Sequence, residues 1–362
     1  MTHGKGWTWA ARRGGAATAI GAAALAAVTL LSIQGCAPAP DADADTPASH
    51  SVTVADAQAA YQTYLTVSDT AAATGDQASA LTVVTSAQWA QTRSQYNALV
   101  AAGIPVPRYR YGTPTFYVPA LSGFPEWFMV TANRTTVTRG KPGATDSTLM
   151  LFAREKATED WTLSGTAVLS RPLPAIARDA NGYAVPVSTS DSGLLLRPDV
   201  VGATQAALVD DGPSSPAAGV IAAGPLTTGL HAAQTARAAA EQRRGLQYQW
   251  LLQGAPFPQV GLRLAGGGAL IMYGMYLNTS NEHPNLVAGS PIPVPAEFKP
   301  LLAEPTEIGY HAVVANWAYQ FAAVDPPATA PGAKLDIIGS QSVPSLAHAS
   351  MGSRHGNIKT YS

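Results

Sequence analysis

The chain has 362 residues, 22 Lys and Arg against 23 Asp and Glu, and a single cysteine, Cys36. A near-neutral balance argues against nucleic acid as a partner, which calls for a concentrated basic face. One cysteine excludes an internal disulfide, and if its thiol is acylated it also excludes a zinc–cysteine site and a cysteine nucleophile. Only 12% of the residues are charged, against about 25% in an ordinary soluble protein, so the surface must be built largely from Ser, Thr, Gln, Asn, Ala and Gly.

Residues 1–13 carry Lys5, Arg12 and Arg13 and no acid; residues 14–33 carry no charge; Gln34-Gly35-Cys36 follows. A basic start, an apolar stretch and a small residue at the cut make a secretory signal. A cysteine directly after that small residue resembles a bacterial lipoprotein leader, cut before Cys36 so that its thiol takes a diacylglycerol. Twenty uncharged residues are also long enough to stay as an uncleaved helical anchor, and ordinary secretion is a third outcome. The first two attach the chain to the outer, extracytoplasmic face of the cell membrane. Removing residues 1–35 leaves 19 basic against 23 acidic residues, a net charge of −4. Residues 36–51, with Pro38, Pro40, Pro47 and the run Asp41-Ala-Asp-Ala-Asp45, read as a flexible spacer.

Helical spacing begins near Val54, with Ala57, Tyr61, Tyr64, Leu65 and Ser68 on one face and Gly75 as the stop. A second helix opens at Thr85-Ser-Ala-Gln88, a capping-box pattern, with Trp89, Tyr96, Leu99 and Val100 on its apolar face and Gly103 at its end. The period then becomes two, predicting strands at Thr113–Val118, Trp127–Thr131, Ser147–Arg154 and Trp161–Leu169. The same order returns: helices from Arg197 to about Val209 and from Leu226 to Arg244, then strands at Leu246–Gln253, Ala269–Leu277, Tyr310–Val324 and Lys334–Ser340. Thr85 to Thr227 and Gly103 to Gly245 share one offset, 142 residues.

The expectation is therefore an α+β chain of two tandem domains, each with helices first and an antiparallel sheet afterwards. Its divisions are signal peptide 1–35, spacer 36–51, first domain 52–176, linker 177–190, second domain 191–348 and a disordered tail 349–362. A single larger α+β domain is the alternative. Helix, break, helix and a meander of long strands is the element order of the cystatin-like or NTF2-like cone, in which a curved sheet wraps a helix and leaves a pocket at its open end.

The Ala-rich leader ending in Gly35-Cys36 and the acidic Ala/Pro spacer go with four further stretches. These are Tyr111-Gly-Thr-Pro-Thr-Phe-Tyr-Val-Pro119, Phe124-Pro-Glu-Trp-Phe-Met-Val130, Ala323-Val-Asp-Pro-Pro327 and Lys334-Leu-Asp-Ile-Ile-Gly339. On these features the chain resembles the uncharacterised lipoproteins of actinobacteria that carry a domain of unknown function. The resemblance implies location and architecture and brings no catalytic residues with it.

Motifs for common chemistries are missing: no G-x-S-x-G, S-x-x-K, H-E-x-x-H, P-loop or G-x-G-x-x-G occurs. No catalytic residue, cofactor or metal site is expected. His50, His231, His283, His311, His348 and His355 lack metal-ligand spacing, and Gly266-Gly267-Gly268 reads as a turn. Two features keep a site open. Tyr109, Tyr111, Phe116, Tyr117, Phe124, Trp127 and Phe128 crowd the first sheet, and alternation sends Phe116 and Val118 to one face and Tyr117 to the other. Packing against helices or the second domain accounts for such rings; a platform for a glycan or apolar ligand, with Tyr111, Tyr117 and Trp127 as its contacts, is the functional reading. The long stretch Asn278–Glu307 holds Glu282, His283, Glu297, Lys299, Glu304 and Glu307 and reads as disordered chain or a short helix near Ala296–Leu302, with a His-plus-carboxylate site for acid–base work as the functional alternative.

Three functions follow. The leading one is a lipid-anchored, non-enzymatic cell-envelope protein that binds an envelope ligand or protein partner, held to the membrane through Cys36. The others are an envelope hydrolase or isomerase with a pocket in one α+β domain, and a structural or assembly factor of the envelope.

Overall fold

The computed structural model describes residues 52–138, 140–284, 291–302 and 311–350, all within one compact unit, Ala48–Ser362. The leader, Cys36, the spacer, residues 351–362 and, in the Asn278–Glu307 stretch, Glu304 and Glu307 lie outside the described residues. No described helix is long and apolar enough to cross a membrane.

Helix α1 (Val54–Thr74) forms where its spacing predicts. The Thr53 hydroxyl accepts the Asp56 amide at 3.1 Å, the Asp56 carboxylate accepts the Thr53 amide at 3.0 Å, and Gly75 ends the helix at φ +71°. A short α2 (Gln77–Thr82) leads into α3 (Ser86–Ala101). Strands β1 (Arg108–Tyr111), β2 (Thr115–Tyr117), β3 (Glu126–Thr138), β4 (Lys141–Arg154), β5 (Thr162–Leu169) and β6 (Pro186–Val187) follow. Then come α4 (Pro198–Asp211), α5 (Thr228–Gln242), β7 (Gln247–Gly254), β8 (Val260–Arg263), β9 (Ala269–Glu282), β10 (Ala312–Asp325) and β11 (Asp336–Ser350). Gly267 and Gly268, at φ +84° and +75°, make the expected turn between β8 and β9.

Helix α3 departs from expectation. Thr85 stands at its N-cap without a side-chain hydrogen bond, and Trp89 and Val100 are exposed. The buried face is Ala87, Gln88, Gln91, Ser94 and Tyr96. A largely polar inner face defeats a reading that assigns large apolar residues to the core. The helix is registered by backbone bonds instead: Thr85 donates to Leu163, and Leu163 donates to Val83, tying its start to β5.

The strands form one antiparallel sheet in the order β1-β3-β4-β5-β11-β10-β9-β8-β6, with β2 also on β3 and β7 also on β9. The order of elements repeats as expected, but the expected pair of separate sheets is corrected: β5 pairs with β11 at Leu169–Gly339 and Val168–Ser340. The physical reason is that β5, buried along most of its length, would otherwise end the first sheet as an unpaired edge. Nor do residues 177–190 run as a free linker. Ala177 donates to Arg263, Arg263 to Val185, and Ala184 to Val118, each at 2.8 Å. This ladder carries the sheet from β8 back to the end of β2. At the other end, Ala349 and Ser350 still belong to β11.

Because the sheet returns on itself, its strands bury both faces. Trp127, Met129, Leu149, Leu151, Leu262, Leu270, Met272 and Ile338, drawn from both halves of the chain, form one cluster. Alternate residues point the other way: Phe128, Val130, Met150 and Phe152 pack with Tyr61 of α1. Ile271, Tyr273, Met275 and Phe321 pack with Val201 and Leu208 of α4. Each fully buried side chain of this kind stabilises the fold by about 1.5–3 kcal/mol.

Candidate ligand-binding site

A cavity of about 420 Å³ opens between α1, α3, β1 and β3, with Gln341 of β11 at its side. Its volume falls in the range of small-molecule sites. Helix α1 contributes Tyr64 and Asp69, α3 contributes Gln88, Thr92, Gln95 and Tyr96, and β1 contributes Arg108, Tyr109 and Tyr111. Arg134 stands on β3 directly opposite Tyr111 in the register, which brings its side chain to the same face.

The rings and the guanidinium hold one another in place. The Arg134 guanidinium lies over the Tyr109 ring, 4.7 Å from its centroid, and Tyr109 and Tyr111 are 6.5 Å apart. Tyr61 presents its edge to Tyr111 from beneath at 6.2 Å. The Tyr64 hydroxyl bonds to that of Tyr111, which Arg134 also engages, and burial pushes both phenols above their ordinary range. At the rim Arg108 grips Asp69 with two bonds of 2.7 and 2.5 Å, and these hold the Asp69 carboxyl below the usual carboxylate range.

Three polar atoms of the lining have no hydrogen-bond partner within the protein although buried: Gln88 Oε1, Arg134 Nε and Gln341 Oε1. A buried unpaired donor or acceptor costs about 1–3 kcal/mol. No group of three His, Cys, Asp or Glu side chains among the described residues is placed to hold a metal ion.

Of the three rings expected to share a site, only Tyr111 lines this cavity. Tyr117 lies on the opposite face of the sheet, packed against the shared core, with Arg178 5.8 Å from its ring and Thr131 Oγ1 3.4 Å from its hydroxyl. Phe116 and Val118 pack on the face towards α1, as alternation requires. Trp127 is 7% exposed and borders a separate, shallower recess with Pro125, Phe257 and Val260. Strand alternation thus separates Tyr111 from the other two. In the late stretch, His283 and His311 meet through a backbone bond of 3.1 Å where β9 ends and β10 begins. Tyr64 and Gln88 were legible only as helix-face and capping-box residues, and Arg134 and Gln341 carried no signal, because their elements are brought together only by the fold.

The architecture defines a class: an α+β protein, mostly one large antiparallel sheet, with a helix-covered polar cavity on one face. The model of a domain of unknown function (DUF8094) matches residues 48–343, and the chain belongs to that family. It is similar to an uncharacterised lipoprotein of the actinobacterium Streptomyces avermitilis, 30% identical over 162 residues. That match covers 44% of this chain and 44% of the relative, so the chain spans less than half of the relative's length. No solved structure matches.

Proposed function

We propose that this is a lipid-anchored, non-enzymatic binding protein of the cell envelope, held on the outer face of the membrane through Cys36, that takes a small polar ligand in the cavity between α1, α3 and β3. The observation that carries the reading is the cavity itself, about 420 Å³ and walled by Tyr64, Gln88, Thr92, Tyr109, Tyr111 and Arg134. The anchor is supported by the basic, apolar, Gly35-Cys36 order of the leader and by the description of the relative as a lipoprotein. A pocket between a helix and the open end of a curved sheet is also the arrangement of a cystatin-like or NTF2-like cone, a likeness of fold that by itself assigns no ligand.

The test is to extract the full chain from its native membrane, denature it, and identify the small molecules released by mass spectrometry. A Thr92→Trp variant, which fills the cavity, is carried through the same steps, its folding checked by circular dichroism. A molecule released near one per chain from the native protein and missing from the variant supports the reading. Identical release from both, or none from either, defeats it.

A further inference from the structure

Strand β7 has a sheet neighbour on one side only, β9. Backbone bonds show which of its residues turn away from that neighbour. Ala255 donates to Gly274, the next pair in the β7–β9 register, so odd-numbered residues exchange hydrogen bonds with β9 and even-numbered ones face outward. Two outward amides are taken. Leu246, just before the strand, donates to Glu241 in the last turn of α5, and Leu252 donates to Asp210 Oδ1 in the last turn of α4. Between them the amides of Tyr248 and Trp250 find no acceptor among the described residues. A shallow recess of about 340 Å³ lies against Tyr248, Gln249, Trp250 and Asp210. Gln249 points to the opposite face from Tyr248 and Trp250, so a space touching all three runs along the edge of the strand.

We infer that this edge is a docking site for an extended peptide segment of a partner protein, which adds as a strand beside β7 and carries a basic residue next to Asp210. The outward N–H and C=O groups of Tyr248 and Trp250 match alternate residues of such a segment. The edge also lacks the charges and proline that ordinarily blunt an exposed strand: it reads Gln-Tyr-Gln-Trp-Leu-Leu-Gln-Gly, with Leu251 50% exposed. The helix ends at Leu246 and Leu252 bracket about 20 Å of strand, enough for a short peptide. A second copy fits poorly. Two-fold pairing of Tyr248 with Trp250 would set the second copy's Leu246, tied to its own α5, against Leu252 and Asp210. Asp210 and Asp211 close α4 with no basic residue in its last turn, at the negative end of the helix dipole, which favours a cationic side chain there.

Panning the detergent-solubilised full chain with a phage-displayed random heptapeptide library tests this, followed by hydrogen–deuterium exchange with a selected peptide bound. Selected peptides are expected to carry Lys or Arg and to slow exchange at Tyr248 and Trp250. N-methylation of one alternate set of peptide residues should weaken binding tenfold or more and of the other set little, because only one set faces β7. Asp210→Asn still accepts from Leu252 and should weaken binding about tenfold, the effect of one hydrogen bond to a charged group. A peptide with its basic residue replaced by glutamine should lose as much on the native chain, which frees the test from the folding of the variant. No selected peptide, protection elsewhere, or equal loss from methylating either set overturns the assignment. So does a peptide-free chain that sediments as a dimer with both amides already protected, since the occupant is then a second copy. The cavity takes no part, so Thr92→Trp should bind the peptides as the native chain does, and the two readings stand or fall separately.

Discussion

The backbone amide of Thr166 in β5 donates to the side-chain oxygen of Gln320 in β10, 154 positions away in sequence. β11 lies between these strands in the sheet but pairs with β5 at only two residues, so beyond Val168 a side chain does what a neighbouring strand would do. Gly165 makes room, since a Cβ there would come within 2.6 Å of Gln320 Oε1. Gln320 Nε2 also donates to Gln91 of α3 at 3.2 Å, so one buried glutamine joins both halves of the chain to the helix that walls the cavity. Gln320→Leu should leave the Thr166 amide and the Gln91 oxygen unpaired and cost about 1–3 kcal/mol. Urea unfolding measures it, and a loss under about 0.5 kcal/mol would mean that the bridge is dispensable.

Asp325, at the end of β10, is completely buried; Oδ2 accepts the Leu196 amide at 3.1 Å and Oδ1 has no partner. Burial raises its pKa from 3.8 to about 7. The folded state then holds a proton that the unfolded chain releases near pH 4, so stability falls as pH rises from about 4 to about 7 and levels off above. Three pK units correspond to on the order of 4 kcal/mol. Asp325→Asn should melt higher than wild type at pH 8 and no higher at pH 4. A wild-type advantage that does not change with pH would contradict the assignment.

Helix α3 offers a contrast between neighbours. Trp89 is 38% exposed with Arg93 over its ring at 5.3 Å, and Thr85 makes no side-chain cap bond. Trp89→Ala and Thr85→Ala should each cost about 1 kcal/mol or less. Phe152, fully buried and stacked on Phe128 at 4.9 Å, should cost about 3–5 kcal/mol as Phe152→Ala. Thermal melts of the three variants rank them, and a Trp89→Ala loss equal to that of Phe152→Ala would restore Trp89 to the core.

The shared cluster of Trp127, Leu149, Leu270 and Met272 makes the halves depend on each other. Expressed alone, residues 52–176 and 190–348 should expose the edges of β5 and β11 and aggregate, regaining structure when refolded together. Limited proteolysis of the intact chain should give no cut within 175–187, where both strands of the return are hydrogen-bonded. Two soluble, monomeric, cooperatively melting fragments would establish two independent domains instead.

Cys36 should be the first residue of the mature protein and bring it into the detergent phase, because two acyl chains anchor firmly where one is marginal. Cys36→Ala should give an uncut precursor or soluble protein. Amino-terminal sequencing and phase partition read the result, and a native protein starting elsewhere and wholly soluble would refute the anchor.

Local rules reached far along this chain. The span of α1, the stops at Gly75 and Gly103, the turn at Gly267-Gly268, the main part of β4, β5, β7, β9 and β10, and one end of β3 and of β11 are legible because caps, glycine conformations and period-two runs depend on residues a few positions apart. The short strands β1, β6 and β8 left no such run and appear only with their partners. Tertiary structure alone decided the rest. Which strand covers the edge of β5, why Gln88, Gln91 and Ser94 face inward, and that Tyr111 lines the cavity while Tyr117 and Trp127 turn away all depend on pairings across long stretches of sequence. Those pairings are selected by burial of both sheet faces and by satisfaction of buried polar groups, quantities that no single segment carries.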